Sequence, residues 1–491
     1  MSGSTPHASA SRTAGAPGRR APRAIGAGPA SAGPRRDRAS GRIAALTVAL
    51  ALAGCAAQST LPPVRRAALP QVDPVVAAQG SASPSAMPGS TPSPTPTPVP
   101  TGPPALTPDL AGRLAAAVRS FRSTTHVPGV EVTIRYAGGW SWAAHAGYAD
   151  LGRRVLLTSS TLLDAGSITK TFMAALTLSL VDEHVIGLDD PLSRWIPGLA
   201  YAPGVTIRQM LDHTSGIDDA FNHQKLLDAL GNHPRTAWTA SRVLGYVGKP
   251  MFPAGTKWAY SNSNYILLGM VIERATGRSV AALLRERFFG PLGLRHTFLQ
   301  TEEPMSGAAA HGYDFTGRGW AVEDLSDGTR YLPFTSLATA LGTAGAIVTT
   351  SDDLARWAEA LYGGRVLSAG SLAAMLDFTR TKPLKPRWPY GLGVQRLAFH
   401  GHVSVGHSGL LSGFRASMRT FPAEGVTITV MTNANGTDPD RLVGWLVDVL
   451  YPPPAPPPSP SPSPTPAPPG PVYPPVATPT PVPGPTSPPP A

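Results

Sequence analysis

Three short segments hold side chains able to combine nucleophilic and acid–base chemistry. The first is Ser167-Ile168-Thr169-Lys170. A serine three residues ahead of a lysine, at the start of a helix, puts hydroxyl and amine on one face a turn apart. The helix N-terminus adds backbone N–H groups where an oxyanion would form. The second segment is Tyr260-Ser261-Asn262 and the third is His407-Ser408-Gly409. Lysine is scarce: six stand at 170, 225, 249, 257, 382 and 385 against 35 arginines, and only Lys170 follows a serine by three positions. Arginine keeps its proton near neutral pH, whereas a desolvated lysine can lose it. Retaining lysine at 170 fits a position where arginine cannot substitute.

Other chemistries lack their residues. No Gly-x-Ser-x-Gly occurs, so the nucleophile elbow of α/β-hydrolases is absent. There is no His-Glu-x-x-His, P-loop or dinucleotide glycine pattern either. The single cysteine excludes an intrachain disulfide and a cysteine-based metal cluster. No metal and no cofactor is implied.

The elements that must hold these side chains are legible in outline. Leu110 to Ser123 has helical spacing, and Val130 to Tyr136 alternates with β-branched residues before Gly138-Gly139 turns it into Trp140 to Tyr148. That predicts a β-hairpin. Helical patterns follow at Thr169 to Glu183, Ile207 to Leu211, Ala240 to Val247, Tyr265 to Thr276, Val280 to Phe289 and Asp352 to Tyr362. Strand signals return at Gly391 to Leu397, Arg415 to Phe421 and Val426 to Thr432, and an amphipathic helix over Pro439 to Leu450 closes the pattern. His407-Ser408-Gly409 is expected just before a strand. Strands at both ends with helices between predict an α/β (α+β) fold: one antiparallel sheet built from both chain ends, flanked by helices, with an inserted helical subdomain. Trp357, Trp445 and Met270 are expected in the core, and Asp164 as a cap for the helix after it.

In order and spacing, Ser-x-x-Lys, Tyr-x-Asn and His-Ser-Gly resemble the three motifs of penicillin-recognising serine enzymes. The similarity is to the branch containing class C β-lactamases, serine D-alanyl-D-alanine carboxypeptidases and related esterases. Met210 to Gly216 (MLDHTSG), Gly290 to Gly293 (GPLG), Gly342 to Ser351 before Asp353-Leu354, and Tyr390-Gly-Leu-Gly393 match as well, so the resemblance spans nearly all of 106–451. It implies a β-lactamase/transpeptidase-like fold and an acyl-enzyme at Ser167. Either Lys170 stays charged and lowers the Tyr260 phenol to a general base, or Lys170 is neutral and is itself the base. Asn262 would orient Lys170 and the substrate amide, and His407 would line the opposite wall and tune the Tyr260 proton. Backbone N–H groups of Ser167 and Leu410 would form the oxyanion hole, with Ser408 and Gly409 binding substrate. In this family the segment containing His213 shapes a loop. His407 replaces the lysine usual in class C β-lactamases. Leu410 stands where the carboxypeptidases place a hydroxyl residue that grips the substrate's terminal carboxylate. The activities implied are DD-carboxypeptidase-like or esterase-like hydrolysis of peptides, amides or esters, including peptidoglycan-derived ones. A β-lactamase, and a non-catalytic wall-binding or β-lactam-sensing lipoprotein, are the alternatives.

The ends of the chain read differently. Ile43 to Ala53 is an apolar run too short to span a bilayer, preceded by an arginine-rich stretch and ending in Leu52-Ala53-Gly54-Cys55. This resembles the lipobox of bacterial lipoproteins, with 1–54 as signal peptide and Cys55 as the lipidated mature N-terminus on the outer face of the membrane. Proline crowds into 55–105 and 452–491, which lack the apolar content to fold. These are a stalk-like linker and a tail able to contact the cell wall. Eight arginines against one aspartate precede residue 55, so only +4 of the formal +11 belongs to the remainder. That is too little to argue for nucleic acid. The folding domain is 106–451.

Overall fold

The computed structural model describes residues 104–452 apart from 138, 203 and 387. The leader, Cys55 and both proline-rich arms lie outside the described residues, except for 104, 105 and 452.

The centre is a seven-stranded antiparallel sheet. Three strands precede the site, β1 (Gly129–Tyr136), β2 (Ser141–Asp150) and β3 (Val155–Leu156). Four follow late in the chain: β4 (Gln395–Phe399), β5 (His402–Leu411), β6 (Phe414–Phe421) and β7 (Val426–Thr432). Their order is β3-β2-β1-β7-β6-β5-β4, so the two chain ends meet where Val130 pairs with Thr432 and Ile134 with Ile428. The five helices that frame the site are α1 (Pro108–Thr125), α2 (Thr169–Asp182), α3 (Asn262–Thr276), α4 (Ser351–Tyr362) and α5 (Pro439–Leu450).

Alternation in β1 explains the layering. Val130, Val132 and Ile134 enter one apolar layer with Leu114, Phe121, Leu442 and Leu446 of α1 and α5. Thr133 and Arg135 face the other side, bonded to Ser351 and Glu359 of α4. On that second side α2 is buried from Thr169 through Leu178, apolar nearly all round as a central helix must be. Phe172 stacks on Trp357 at 4.0 Å, whose indole N–H donates to Thr171, so α4 fixes the azimuth of α2. Among the described residues no helix is long and apolar enough to cross a membrane.

Several boundaries differ from the sequence reading. Helix α3 starts at Asn262, three residues early, which places that amide on its first turn. His407-Ser408-Gly409 lies inside β5, not ahead of a strand. Val280 to Phe289 splits into an α-helical piece, Val280–Leu284, and a π-helical turn, Arg285–Phe289. The strand expected from Gly391 begins only at Gln395, because Gly391 packs its backbone against the Met375 carbonyl and Gly393 turns at φ +74°.

Candidate active site

The site forms where α2 begins beneath β5. Asp164, fully buried, accepts the Gly166 N–H at 2.6 Å through Oδ1 and the Gln300 side-chain amide at 2.8 Å through Oδ2. Burial pushes its carboxyl well above the ordinary range. That bond tightens the chain into a 3₁₀ turn over Gly166–Ile168, with Gly166 at φ +53°. Only glycine suits this place: a Cβ there would sit 2.5 Å from the Leu410 nitrogen. A Cβ on Gly409 would meet the Ala165 carbonyl at 2.0 Å. Two glycines thus let two backbones meet, and the nucleophile turn lies directly against β5.

Lys170 is buried, with Nζ 3.1 Å from Ser167 Oγ, 2.8 Å from Asn262 Oδ1 and 2.7 Å from the Ala344 carbonyl. The two carbonyl oxygens can only accept, so they take two amine hydrogens. The third direction faces Ser167 Oγ, as a donor when the amine is charged and as a lone pair when it is neutral. Gly269 gives room for this arrangement. Thr343 packs where its Cβ would be, bringing the Ala344 carbonyl over α3 to the amine. The Tyr260 ring centroid lies 4.8 Å from Nζ.

Asn262 is held at both ends. Its Oδ1 accepts from Lys170, and its Nδ2 donates to Asp219 Oδ2 at 2.9 Å. Asp219 is buried and burial raises its carboxyl above the usual range, partly offset by its bonds to Asn262 and Phe221.

His407 is fully buried. Its Nδ1 lies 2.7 Å from the Ser408 carbonyl and its Nε2 2.9 Å from Tyr390 Oη. Burial, reinforced by the charge of Lys170, pushes it down to about 3, so the ring is neutral. Both nitrogens are engaged, and the ring centroids of His407 and Tyr260 are 6.4 Å apart. Ser408 needs a correction. Successive residues of β5 face opposite sides, so its hydroxyl enters a buried polar cluster behind the sheet. There it bonds Asp440 at 2.8 Å and contacts Arg419 and Gln395. Gly409 contributes close approach to Ala165 rather than a side chain. Leu410 is where the oxyanion donor was expected: β4 pairs with β5 only to Gly406, and the Leu410 nitrogen stands beside Gly166.

Sequence reasoning overlooked four participants. Asp219 carries no local signature, and Ala344 was noted only as part of the segment Gly342 to Ser351. Tyr390 was noted only as part of Tyr-Gly-Leu-Gly. His213, read as shaping a loop, is fully buried at φ +62°, its ring 4.3 Å from that of Tyr260. Its Nδ1 accepts the Ser261 N–H at 3.2 Å, and burial lowers it well below the ordinary histidine range.

Comparison with known proteins shows the family and the fold. The chain is 27% identical over 307 residues to penicillin-binding protein 4* of Bacillus subtilis (strain 168), covering 58% of this chain and 64% of that one. It is 29% identical over 332 residues to penicillin-binding protein 4 of Amycolatopsis lactamdurans, covering 64% and 83%. To a D-aminopeptidase of Cereibacter sphaeroides it is 26% identical over 322 residues, 65% of this chain but 58% of that one. The chain therefore spans less than two thirds of the length of the first and third of these relatives. Among solved structures, a D-stereospecific amidohydrolase from Streptomyces sp. superposes with a TM-score of 0.58 at 29% identity, over 70% of this chain and 97% of the other. A D-amino acid amidase from Ochrobactrum anthropi SV3 shares the fold with a TM-score of 0.59 at 24% identity, over 70% and 98%. The Beta-lactamase family model matches residues 114–451, and the chain belongs to the beta-lactamase family.

Proposed function

We propose that this protein is an envelope-tethered serine hydrolase that forms an acyl-enzyme at Ser167 and acts on amides, esters or small peptides. One observation carries the reading: a half-buried Ser167 Oγ contacts the buried Lys170 Nζ, which bonds Asn262 Oδ1, beside the Tyr260 ring and the Leu410 nitrogen. Ser167 Oγ attacks the carbonyl carbon and its proton passes to Lys170 or Tyr260. The oxyanion rests on the Ser167 and Leu410 N–H groups, and the C–N or C–O bond breaks as the leaving group takes the proton. Water then attacks the acyl carbon, releasing the acid and restoring Ser167. Leu410 offers no hydroxyl to grip a terminal carboxylate. Together with relatives named D-aminopeptidase and D-stereospecific amidohydrolase, that favours amino-acid amides and esters over D-Ala-D-Ala peptides. A β-lactam-acylated reading is favoured by the relatives named penicillin-binding protein. A panel of D-amino-acid amides, p-nitrophenyl esters, a D-Ala-D-Ala peptide and nitrocefin separates these, and inertness on all four would sink the enzyme reading.

The tether rests on Cys55 and the segment before it. The described roots of both arms fit a stalk. Trp140 donates to the residue 104 carbonyl at 2.7 Å, and Tyr451 bonds Tyr136 at 2.6 Å, both at the hairpin end of β1. Leu410 is level with Val130 at the other end of the sheet, about 20 Å away at ~3.4 Å per residue. Cys55→Ala should abolish incorporation of labelled fatty acid; undiminished labelling would refute the anchor.

A further inference from the structure

Beyond Gly406, β5 has lost its β4 partner. The Ser408 N–H is taken instead by Gln395 Oε1 at 3.0 Å. In an antiparallel strand the N–H and C=O of one residue point the same way, so the Ser408 carbonyl also faces the vacated side. Its partner is His407 Nδ1 at 2.7 Å. A carbonyl only accepts, so Nδ1 carries the hydrogen and Nε2 of the neutral ring must accept. The group facing Nε2 is the Tyr390 hydroxyl at 2.9 Å. His407 is 1% exposed and Tyr390 0%, so water cannot replace either bond.

The next residue is Gly409, which without a Cβ is freer in its backbone than Ser408 or Leu410 on either side. A stiffer residue is barred there by the Ala165 carbonyl. Whatever holds the peptides on either side of Gly409 therefore governs where the Leu410 N–H lies. We propose that Tyr390 is a positioning residue for the oxyanion strand: its hydroxyl donates to His407 Nε2, holds the Nδ1–H ring in place, and through it anchors the Ser408 carbonyl ahead of Gly409 and Leu410. The effect on rate rests on the hydrolase reading above, whereas the tautomer does not.

The test is ¹⁵N NMR of histidine-labelled full-length protein at neutral pH, with the His407 signals assigned by their loss in His407→Gln. The wild type should show a pyrrole-type Nδ1 and a pyridine-type Nε2. Tyr390→Phe should keep the hydrogen on Nδ1 but move the Nε2 shift to that of an unbonded pyridine-type nitrogen, and kcat should fall about tenfold to a hundredfold, at or below the effect of deleting an oxyanion donor, with KM little changed. A wild-type spectrum with hydrogen on Nε2 overturns the proposal. So does a folded Tyr390→Phe that keeps both the Nε2 shift and kcat. Should Tyr390→Phe not fold, the wild-type spectrum decides alone, with a coupling across the Tyr390 hydroxyl to Nε2 as the supporting result. A protein inert on every substrate would defeat the hydrolase reading and leave the tautomer result standing.

Discussion

Lys170 and Asp219 are joined through a single side-chain amide, that of Asn262, which accepts from the amine at 2.8 Å and donates to the carboxylate at 2.9 Å. The amide cannot turn over without setting N–H against N–H at one end and oxygen against oxygen at the other. It therefore transmits orientation from a buried carboxylate to the amine that touches the nucleophile. Asp219→Asn can keep the acceptor for the Asn262 amide while it removes the charge and the acceptor facing the Phe221 N–H. A negative charge favours a protonated neighbour, so its loss should move the ascending limb of the pH profile of kcat/KM to lower pH. An unmoved limb would show that Asp219 is structural only.

Lys170 has two amine hydrogens spent on carbonyl oxygens and the third direction on Ser167. A guanidinium cannot reproduce that set or give up a proton near neutral pH. Lys170→Arg should lower kcat/KM on an ester substrate by about 10²–10⁴, the span of general acid–base contributions. Ser167→Ala should abolish labelling by a fluorophosphonate probe. Labelling that survives in Ser167→Ala would place the nucleophile elsewhere.

Gly409→Ala puts a methyl group 2.0 Å from the Ala165 carbonyl, and neither backbone is a flexible side chain that can retreat. The strand and the nucleophile turn must separate. Acylation should fall by about 10²–10³, the cost of losing an oxyanion donor, with a lower melting temperature. Gly409 is not among the positive-φ glycines, so this close contact and not backbone strain carries the cost.

Glu131 sits in β1 under the start of α4, accepting the Ser351 N–H at 3.2 Å. Burial raises it from 4.5 to about 8. The folded state thus binds this proton more tightly than the unfolded chain, and the associated stability is full below pH 4.5 and lost as pH rises through about 8. Glu131→Gln should flatten the loss of stability over that window, on the order of a few kcal/mol, read as a shallower decline of melting temperature with pH. His407 runs the other way. Lowered to about 3, it contributes stability present above 6.5 and lost on acidification toward 3, and it should give no inflection in activity near neutral pH. Parallel pH–stability curves for wild type and Glu131→Gln would remove Glu131 from this account.

The amino-acid sequence by itself determined the family, the α/β class and the three segments that meet. Helical and strand periods, and the order of Ser167-x-x-Lys170, Tyr260-x-Asn262 and His407-Ser408-Gly409, are local properties of the chain. Hydrophobic alternation in Val130 to Tyr136 marks a strand with one apolar face, whereas the structure buries both faces of it and of Val426 to Thr432. Only the tertiary structure decided the partners of each polar atom. Asp219, Ala344 and Tyr390 reach the site from segments far apart in sequence, and buried polar groups take whichever partner the packing supplies. For the same reason no spacing rule could tell that Ser408 turns its hydroxyl toward Asp440 while His407 turns its ring toward Tyr390. Two neighbours on a strand face opposite layers, and the identity of those layers is settled only when distant parts of the chain close over them.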